Sequence, residues 1–254
     1  MDQKAPVIVL LTDFGWSSYV GVMKGVILSL CPNAQQIDLA HHVAPQNIRE
    51  GAWLLLTNYI YFPEKSIFLA VVDPGVGTER KALAIRTKDY YFIGPDNGLL
   101  YPAATRAGIV DVIELNIPEN VSHTFHGRDV FAPAAGNLAA GIPFYELGKP
   151  SAPEVCLNFY LEGRTGEVVT VDRFDNIITN IPPLPCRNSY RVSLVREGKS
   201  YFQSELPYYP VYARAPEDLL FLITGSSDTL EVSVRNGSAA SRLKVEFGDR
   251  VVID

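Results

Sequence analysis

Cysteine is scarce in this sequence: Cys31, Cys156 and Cys186 are the three among 254 residues. They are odd in number and widely spaced, and none sits in a CxxC or Cys/His ligand pattern, which excludes a disulfide framework and a structural zinc site. Free thiols in a reducing compartment are expected, and with them a cytoplasmic protein. Clustered positive charge is missing as well. The 22 Lys and Arg are outnumbered by 28 Asp and Glu, for a net charge of −6, and no basic stripe runs along the chain, so a nucleic-acid partner is excluded. Long apolar runs are also absent. Ile67–Val72 is among the longest and is far too short to span a bilayer. The opening MDQKAPVIVLLTDFG holds one short apolar run that leads straight into acid and glycine, so no secretory leader is expected. What remains is ordinary globular material, with 47% hydrophobic and 20% charged residues.

Periodicity divides the chain in two. Val7–Leu11 is a continuous apolar, β-branched run, as expected of a strand buried on both faces. A polar turn follows, then a helix expected over 18–30 with Val22, Val26, Ile27 and Leu30 inward and Pro32 ending it. The pattern repeats with a short strand at 36–39 and a helix from Asn47 to about Phe62, opened by a capping box at Asn47–Glu50. Ile67–Val72, segments near 83–87, 90–93 and 110–115, and a helix near 130–140 continue it. Alternation of this kind predicts an α/β fold with a mostly parallel sheet flanked by helices over 1–145. Residues 146–165, with Pro150 and Pro153, read as a linker. From 166 to 254 short alternating segments separated by turn signals predict a smaller all-β, barrel-like domain.

Ligands of open α/β sheets bind beyond the carboxyl ends of strands, so the polar residues that follow buried strands are the candidates for chemistry. Thr12-Asp13-Phe14-Gly15 offers a carboxylate that can accept two hydroxyl hydrogens, as the vicinal diol of a ribose presents; a turn or helix-cap Asp is the alternative. Asp73-Pro-Gly-Val-Gly-Thr-Glu-Arg80 places an acid and a guanidinium on a loop whose glycines allow close approach to a ligand. It is not a Walker loop, since no Gly-Lys-Ser/Thr follows. Gly94-Pro-Asp-Asn-Gly98 has the residues that a turn requires. Phe125-His126-Gly127-Arg128-Asp129 carries one of four histidines, flanked by glycine and opposite charges, as a proton handler would be. His41 and His42 follow a strand and read as structural. Asp172-Arg-Phe-Asp-Asn176 opens the β domain with an amide able to pair with a base edge and, in Phe174, a ring to stack on it; a hairpin turn is the alternative.

In this order, LLTDFG, VVDPGVGTERKALAI, IGPDNGLL, FHGRDVFAPAAGNLAAG, VDRFDNIITNI and the closing NGSAASRL…GDRVVI resemble the S-adenosyl-L-methionine hydroxide adenosyltransferases, relatives of the enzymes that fluorinate and chlorinate the same substrate. The resemblance implies hydrolysis of S-adenosyl-L-methionine to adenosine and methionine, with no cofactor and no metal, by a homotrimer whose sites lie between subunits. It implies that Asp13 holds the ribose hydroxyls and that Asp73, Arg80 and His126 position and activate water. Asp172 would meet the methionine ammonium. Asn176 and the backbone near Ala239 would recognise adenine, with Phe174 and Phe125 packing on the nucleoside. Ser226 and Ser227 fall where the family holds the methionine carboxylate, although the halogenating relatives have Arg at the second position. Those relatives also carry Tyr in place of Asp73 and Ser in place of Gly127, which favours water over halide. The competing readings are a non-catalytic nucleoside sensor, a halogenase and, more remotely, a metal-dependent phosphohydrolase, for which no HxH, HD or DxD pairing is present.

Overall fold

The computed structural model describes residues 5–254; the first four, part of the stretch read for a leader, lie outside the described residues. The chain forms two compact units that meet between Asn158 and Phe159.

The first unit runs β1 (Val7–Thr12), α1 (Tyr19–Leu30), β2 (Gln35–Ala40), α2 (Ile48–Asn58), β3 (Ile67–Val71), β4 (Ala82–Thr87), β5 (Tyr91–Pro95), α3 (Tyr101–Arg106), β6 (Ile109–Leu115), α4 (Ala132–Ala139) and β7 (Gly148–Pro150). Its sheet has the order β2-β1-β3-β5-β4-β6-β7. The pairs made by β1, β2, β3 and β5 with one another are parallel, and those of β4, β6 and β7 are antiparallel. The sheet is therefore mixed, with its parallel half built from the most apolar runs. Helices α1 and α4 cover the face formed by Ile8, Leu10, Leu69 and Val71. On α2, Gly51 lies against Leu11 and Val72, where a Cβ would already touch the Leu99 side chain at 2.8 Å. Each large apolar side chain removed from water on these two faces contributes about 1.5–3 kcal/mol.

The inward face of α1 differs from the expected one. Val20, Met23 and Ile27 are buried, whereas Val22 and Leu30 are 41% and 38% exposed. This helix is apolar on more than one side, so its sequence offers two stripes, and packing against α4 selects the one through Met23. The Asn47 cap forms as expected, accepting from the Glu50 N–H at 3.1 Å, and the Glu50 carboxylate accepts the Ala44 N–H at 2.8 Å. Helix α3 and strand β7 had no sequence counterpart; both are short, and periodicity needs more residues than they contain.

The second unit runs β8 (Thr165–Val171), β9 (Ile177–Thr179), β10 (Ser189–Arg196), β11 (Lys199–Pro207), β12 (Leu220–Thr224), β13 (Leu230–Val234), α5 (Ala239–Leu243) and β14 (Arg250–Ile253). Its strand pairs are antiparallel, in the order β11-β10-β14-β8-β9-β13-β12. The sheet curls until the chain leaving β11 meets β12, where the Tyr209 N–H donates to the Leu222 carbonyl at 2.9 Å. Tyr190, Leu194, Leu222, Val232 and Val251 fill the interior of this nearly closed barrel.

Gly94, in the middle of the first sheet, is required by close approach: a Cβ there would fall 2.2 Å from the Ala70 carbonyl oxygen of the adjacent strand. Gly94→Ala is expected to cost about 1–3 kcal/mol, read as a lowered midpoint in urea denaturation.

Candidate active site

The parallel register sets Thr12 of β1 beside Val71 of β3. The residues that follow, Asp13 on one strand and Asp73 on the other, therefore emerge at the same carboxyl edge. Antiparallel β4 starts at that edge with Ala82, which returns Arg80 to it. Arg80 and Asp73 form a fork: Nε donates to Oδ1 at 3.0 Å and Nη2 to Oδ2. Their side chains are only 9% and 4% exposed, so the pair is held in a dry site where charge-assisted bonds are strong. Arg80 also lies over the Phe131 ring, 5.2 Å from its centre. Two contacts brace this loop. Asn97 Nδ2 donates to the Val72 carbonyl at 2.8 Å, and Gly77, at φ +78°, sits so close to the His123 carbonyl that a Cβ would clash at 2.2 Å. The Gly94–Gly98 turn thus supports this edge from behind, and its Asp96 caps the Glu154 and Val155 N–H groups.

His126 completes a trio, its Nδ1 3.0 Å from Arg80 Nη2. A guanidinium can only donate, so Nδ1 is the acceptor and a neutral His126 carries its hydrogen on Nε2. Burial, and then the positive charge of Arg80, hold the imidazole below its usual 6.5. Phe125, next in the chain, packs with Phe14 at 6.0 Å and Tyr19 at 4.9 Å in an aromatic wall on the same unit. The Asp13 carboxylate accepts the Gln46 N–H at 2.9 Å through Oδ2.

Sequence reasoning missed what fixes the Asp13 turn. Thr12 Oγ1 lies 2.9 Å from His41 Nδ1, His41 Nε2 lies 2.9 Å from Asp38 Oδ1, and Lys24 donates to Asp38 Oδ2 at 2.6 Å. The line has the composition of a nucleophile–histidine–acid triad, but Thr12 is fully buried and its oxygen accepts the Phe14 N–H at 3.2 Å. It braces the turn and has no access to a substrate. The reading of His41 as structural agrees with this placement.

In the second unit the turn between β8 and β9 wraps around Asp172. Its Oδ1 accepts the N–H groups of Phe174 and Asn176 at 2.8 and 2.9 Å, and Oδ2 accepts Asn176 Nδ2 at 2.8 Å. Asp175, at φ +61°, makes the tight return and leaves Phe174 76% exposed. Asp172, Phe174, Asn176 and Ser226 line one cavity of about 810 Å³ together with Tyr212 and Glu231, a size that suits a nucleoside-scale ligand. Ala239 is fully buried beside it at the start of α5, where the Ala240 N–H holds the Asp175 carbonyl at 3.0 Å. Tyr212 and Glu231 were not singled out in the sequence. Glu231 alternates with Leu230 and Val232 as a solvent-facing strand residue would, yet it is buried. Burial pushes its carboxyl up, against the Tyr212 hydrogen bond, and Asp172 adds to the rise.

Of the expected residues, Arg80 thus touches both Asp73 and His126, with Phe125 and the Asp13 turn in the same unit; Asp172, Phe174, Asn176 and Ser226 share the cavity of the other. No group of three His, Cys, Asp or Glu side chains among the described residues is placed to hold a metal ion, and no helix of the described residues is long and apolar enough to cross a membrane.

Comparison with known proteins matches residues 8–148 to the SAM hydroxide adenosyltransferase N-terminal domain and residues 166–252 to the C-terminal domain of the same family. A protein of Salinispora arenicola named (R)-S-adenosyl-L-methionine hydrolase is 37% identical, with 97% of each chain covered. A crystal structure of an uncharacterized conserved protein from Thermotoga maritima superposes with a TM-score of 0.88 at 36% identity, covering 97% of this chain and all of that one. A fluorinase of Actinoplanes sp. is more distant, 26% identical over 83% of this chain and 84% of its own.

The depressed His126 sets a sign for stability against pH. In the unfolded chain the imidazole takes up a proton near 6.5, and in the folded state only at lower pH. The stability it contributes is present above 6.5 and is lost as pH falls towards the depressed value. Between pH 7.5 and 5 the parent protein should lose more stability than His126→Gln in chemical denaturation; equal slopes would contradict the assignment.

Proposed function

Since the chain belongs to the SAM hydroxide adenosyltransferase family, we propose that it hydrolyses S-adenosyl-L-methionine to adenosine and L-methionine. The observation that carries this reading is the buried Asp73–Arg80–His126 trio. Water attacks the ribose C5′, the C5′–S bond breaks, and its electron pair returns to sulfur, so methionine leaves as a neutral thioether that needs no general acid. What the protein must supply is alignment of the oxygen with that bond and removal of a proton from it.

The trio suits these tasks unequally. Arg80 favours hydroxide character in the attacking oxygen. His126, with Nδ1 occupied by Arg80, presents Nε2–H and orients the water by donating to a lone pair. Asp73, the one anion of the three, holds Arg80 and is the group towards which the proton departs. A carboxylate there repels an incoming halide, so water is favoured over fluoride or chloride. Asp13 takes the ribose hydroxyls and Phe125 packs on the sugar. In the other unit's cavity Asp172 takes the ammonium, Phe174 stacks on the base, Asn176 and the backbone at Ala239 read its edge, and Ser226 meets the methionine carboxylate.

The active form in this reading is a cytoplasmic homotrimer in which neighbouring subunits complete each site. Trp16 and Phe174, 94% and 76% exposed on two of the chemistry-bearing loops, support such an assembly, since exposed aromatics mark contact surfaces. The name of the Salinispora relative makes the (R)-sulfonium epimer the first substrate to try. The expected partners are substrate and products alone, with no nucleic acid, membrane or cofactor.

The test is incubation of chelator-treated protein with each epimer of S-adenosyl-L-methionine in ¹⁸O-water, with chloride and fluoride present. Adenosine labelled at the 5′ oxygen is expected. A 5′-halogenated nucleoside would make the chain a halogenase, and tight binding with intact substrate would make it a sensor. Arg80→Ala and His126→Ala are each expected to lower kcat by about 10²–10⁴; unchanged turnover in either would remove that residue from the mechanism.

A further inference from the structure

Glu231 has no part in the scheme above, yet it is 7% exposed on the wall of the nucleoside-sized cavity. No salt bridge reaches it among the described residues. Room for it has been made: a Cβ on Gly225 would lie 1.5 Å from its Oε1. Its other oxygen, Oε2, accepts the Tyr212 hydroxyl at 3.1 Å.

The consequence lies in where the hydrogens go. A carboxylate only accepts, so Asp172 fixes the amide of Asn176 with Nδ2 turned towards itself, at 2.8 Å. The second Nδ2 hydrogen points to the Tyr212 oxygen at 3.4 Å. That oxygen can receive it because its own hydrogen is committed to Glu231. Tyr212 keeps this hydrogen throughout the neutral range, since burial and the adjacent Glu231 push its phenol up to about 12. Its ring is held in place edge-on against the fully buried Phe221, with centres 6.0 Å apart. Two carboxylates thus absorb the donors of Asn176 and Tyr212. What this edge of the cavity offers is an acceptor, Asn176 Oδ1, which has no donor among the described residues, beside a Tyr212 hydroxyl whose own hydrogen is already given to Glu231.

We propose that Glu231 is a positioning residue that, through Tyr212, keeps this edge acceptor-only, so that the cavity takes a 6-aminopurine and refuses a 6-oxopurine. A 6-amino group brings two hydrogens to the edge. A 6-oxo group brings lone pairs against lone pairs, and a buried polar group left unpaired costs far more than a missing apolar contact. The proposal rests on the reading of this cavity as the nucleoside site, but not on the hydrolytic step.

The test is calorimetric titration of adenosine and inosine into the full-length parent protein, Glu231→Gln and Glu231→Ala, with thermal melts to verify folding. Kinetics on S-adenosyl-L-methionine accompany it. The parent should prefer adenosine by about 100-fold or more. Gln retains an acceptor for the Tyr212 hydroxyl, so Glu231→Gln should keep most of that ratio. Glu231→Ala frees the hydroxyl to donate to a 6-oxo group, and the ratio should narrow about tenfold, with KM raised and kcat within about twofold. A ratio unchanged in a folded Glu231→Ala, or lost equally in both variants, would overturn the proposal, as would a parent that does not discriminate. Absence of turnover with the binding ratio intact would count against hydrolysis and leave this assignment standing.

Discussion

Everything at the carboxyl edge of the first sheet depends on the Asp73–Arg80 fork. Neither charge survives alone in a site this dry. Removing one partner of a buried, hydrogen-bonded ion pair costs far more than the pair contributes, because the other is left without compensation. The fork is possible because a parallel strand, β3, leads into the acid and the guanidinium leads into an antiparallel strand, β4, so a spacing of seven residues from Asp73 to Arg80 suffices to close it. A wholly parallel sheet would need a crossover helix between the two and would carry Arg80 away. The mixed sheet is what allows one short loop to supply both charges.

Support for that edge is layered behind it and comes from groups that do no chemistry. Asn97 grips the carbonyl just before Asp73, Gly77 lets the loop lie against the backbone at His123, and the Lys24–Asp38–His41–Thr12 line ties the neighbouring turn to β2. Side chains held to a fixed geometry in a buried polar cluster need such secondary restraint. In the second unit the same work is concentrated in one turn, where Asp172 takes up three N–H donors and so fixes both its own carboxylate and the amide of Asn176.

Much of this was legible in the sequence, and the boundary of legibility has physical causes. Buried strands such as Val7–Thr12 and Ile67–Val71 announce themselves as apolar runs, and polar clusters right after them stand out because so few residue types end a buried strand that way. That rule singles out Asp73 and Arg80 as candidates, whereas His126 stands out as a histidine between glycine and opposite charges just before a helix. The inward face of α1 was misassigned because the helix is apolar on more than one side and only its partner decides. Glu231 was passed over because strand alternation says where a side chain points and not whether the sheet closes over it; a curled, nearly closed barrel buries what an open sheet would leave in water. Tyr212 belongs to a short turn with no periodicity at all. His41 had been read as structural, but its link to Thr12 spans 29 residues, and no local pattern reports that.

The space occupied by the Glu231 carboxylate exists because position 225 lacks a single carbon atom. Glycine and alanine codons differ by one nucleotide, so one point mutation would evict the carboxylate from its niche while leaving Tyr212 and Asn176 unchanged in sequence. The preference of the cavity for one purine over another is therefore set, in evolutionary terms, at a distance of one step from being rewritten. A survey of relatives that act on other bases should look first at this glycine and only then at the side chains in contact with the base.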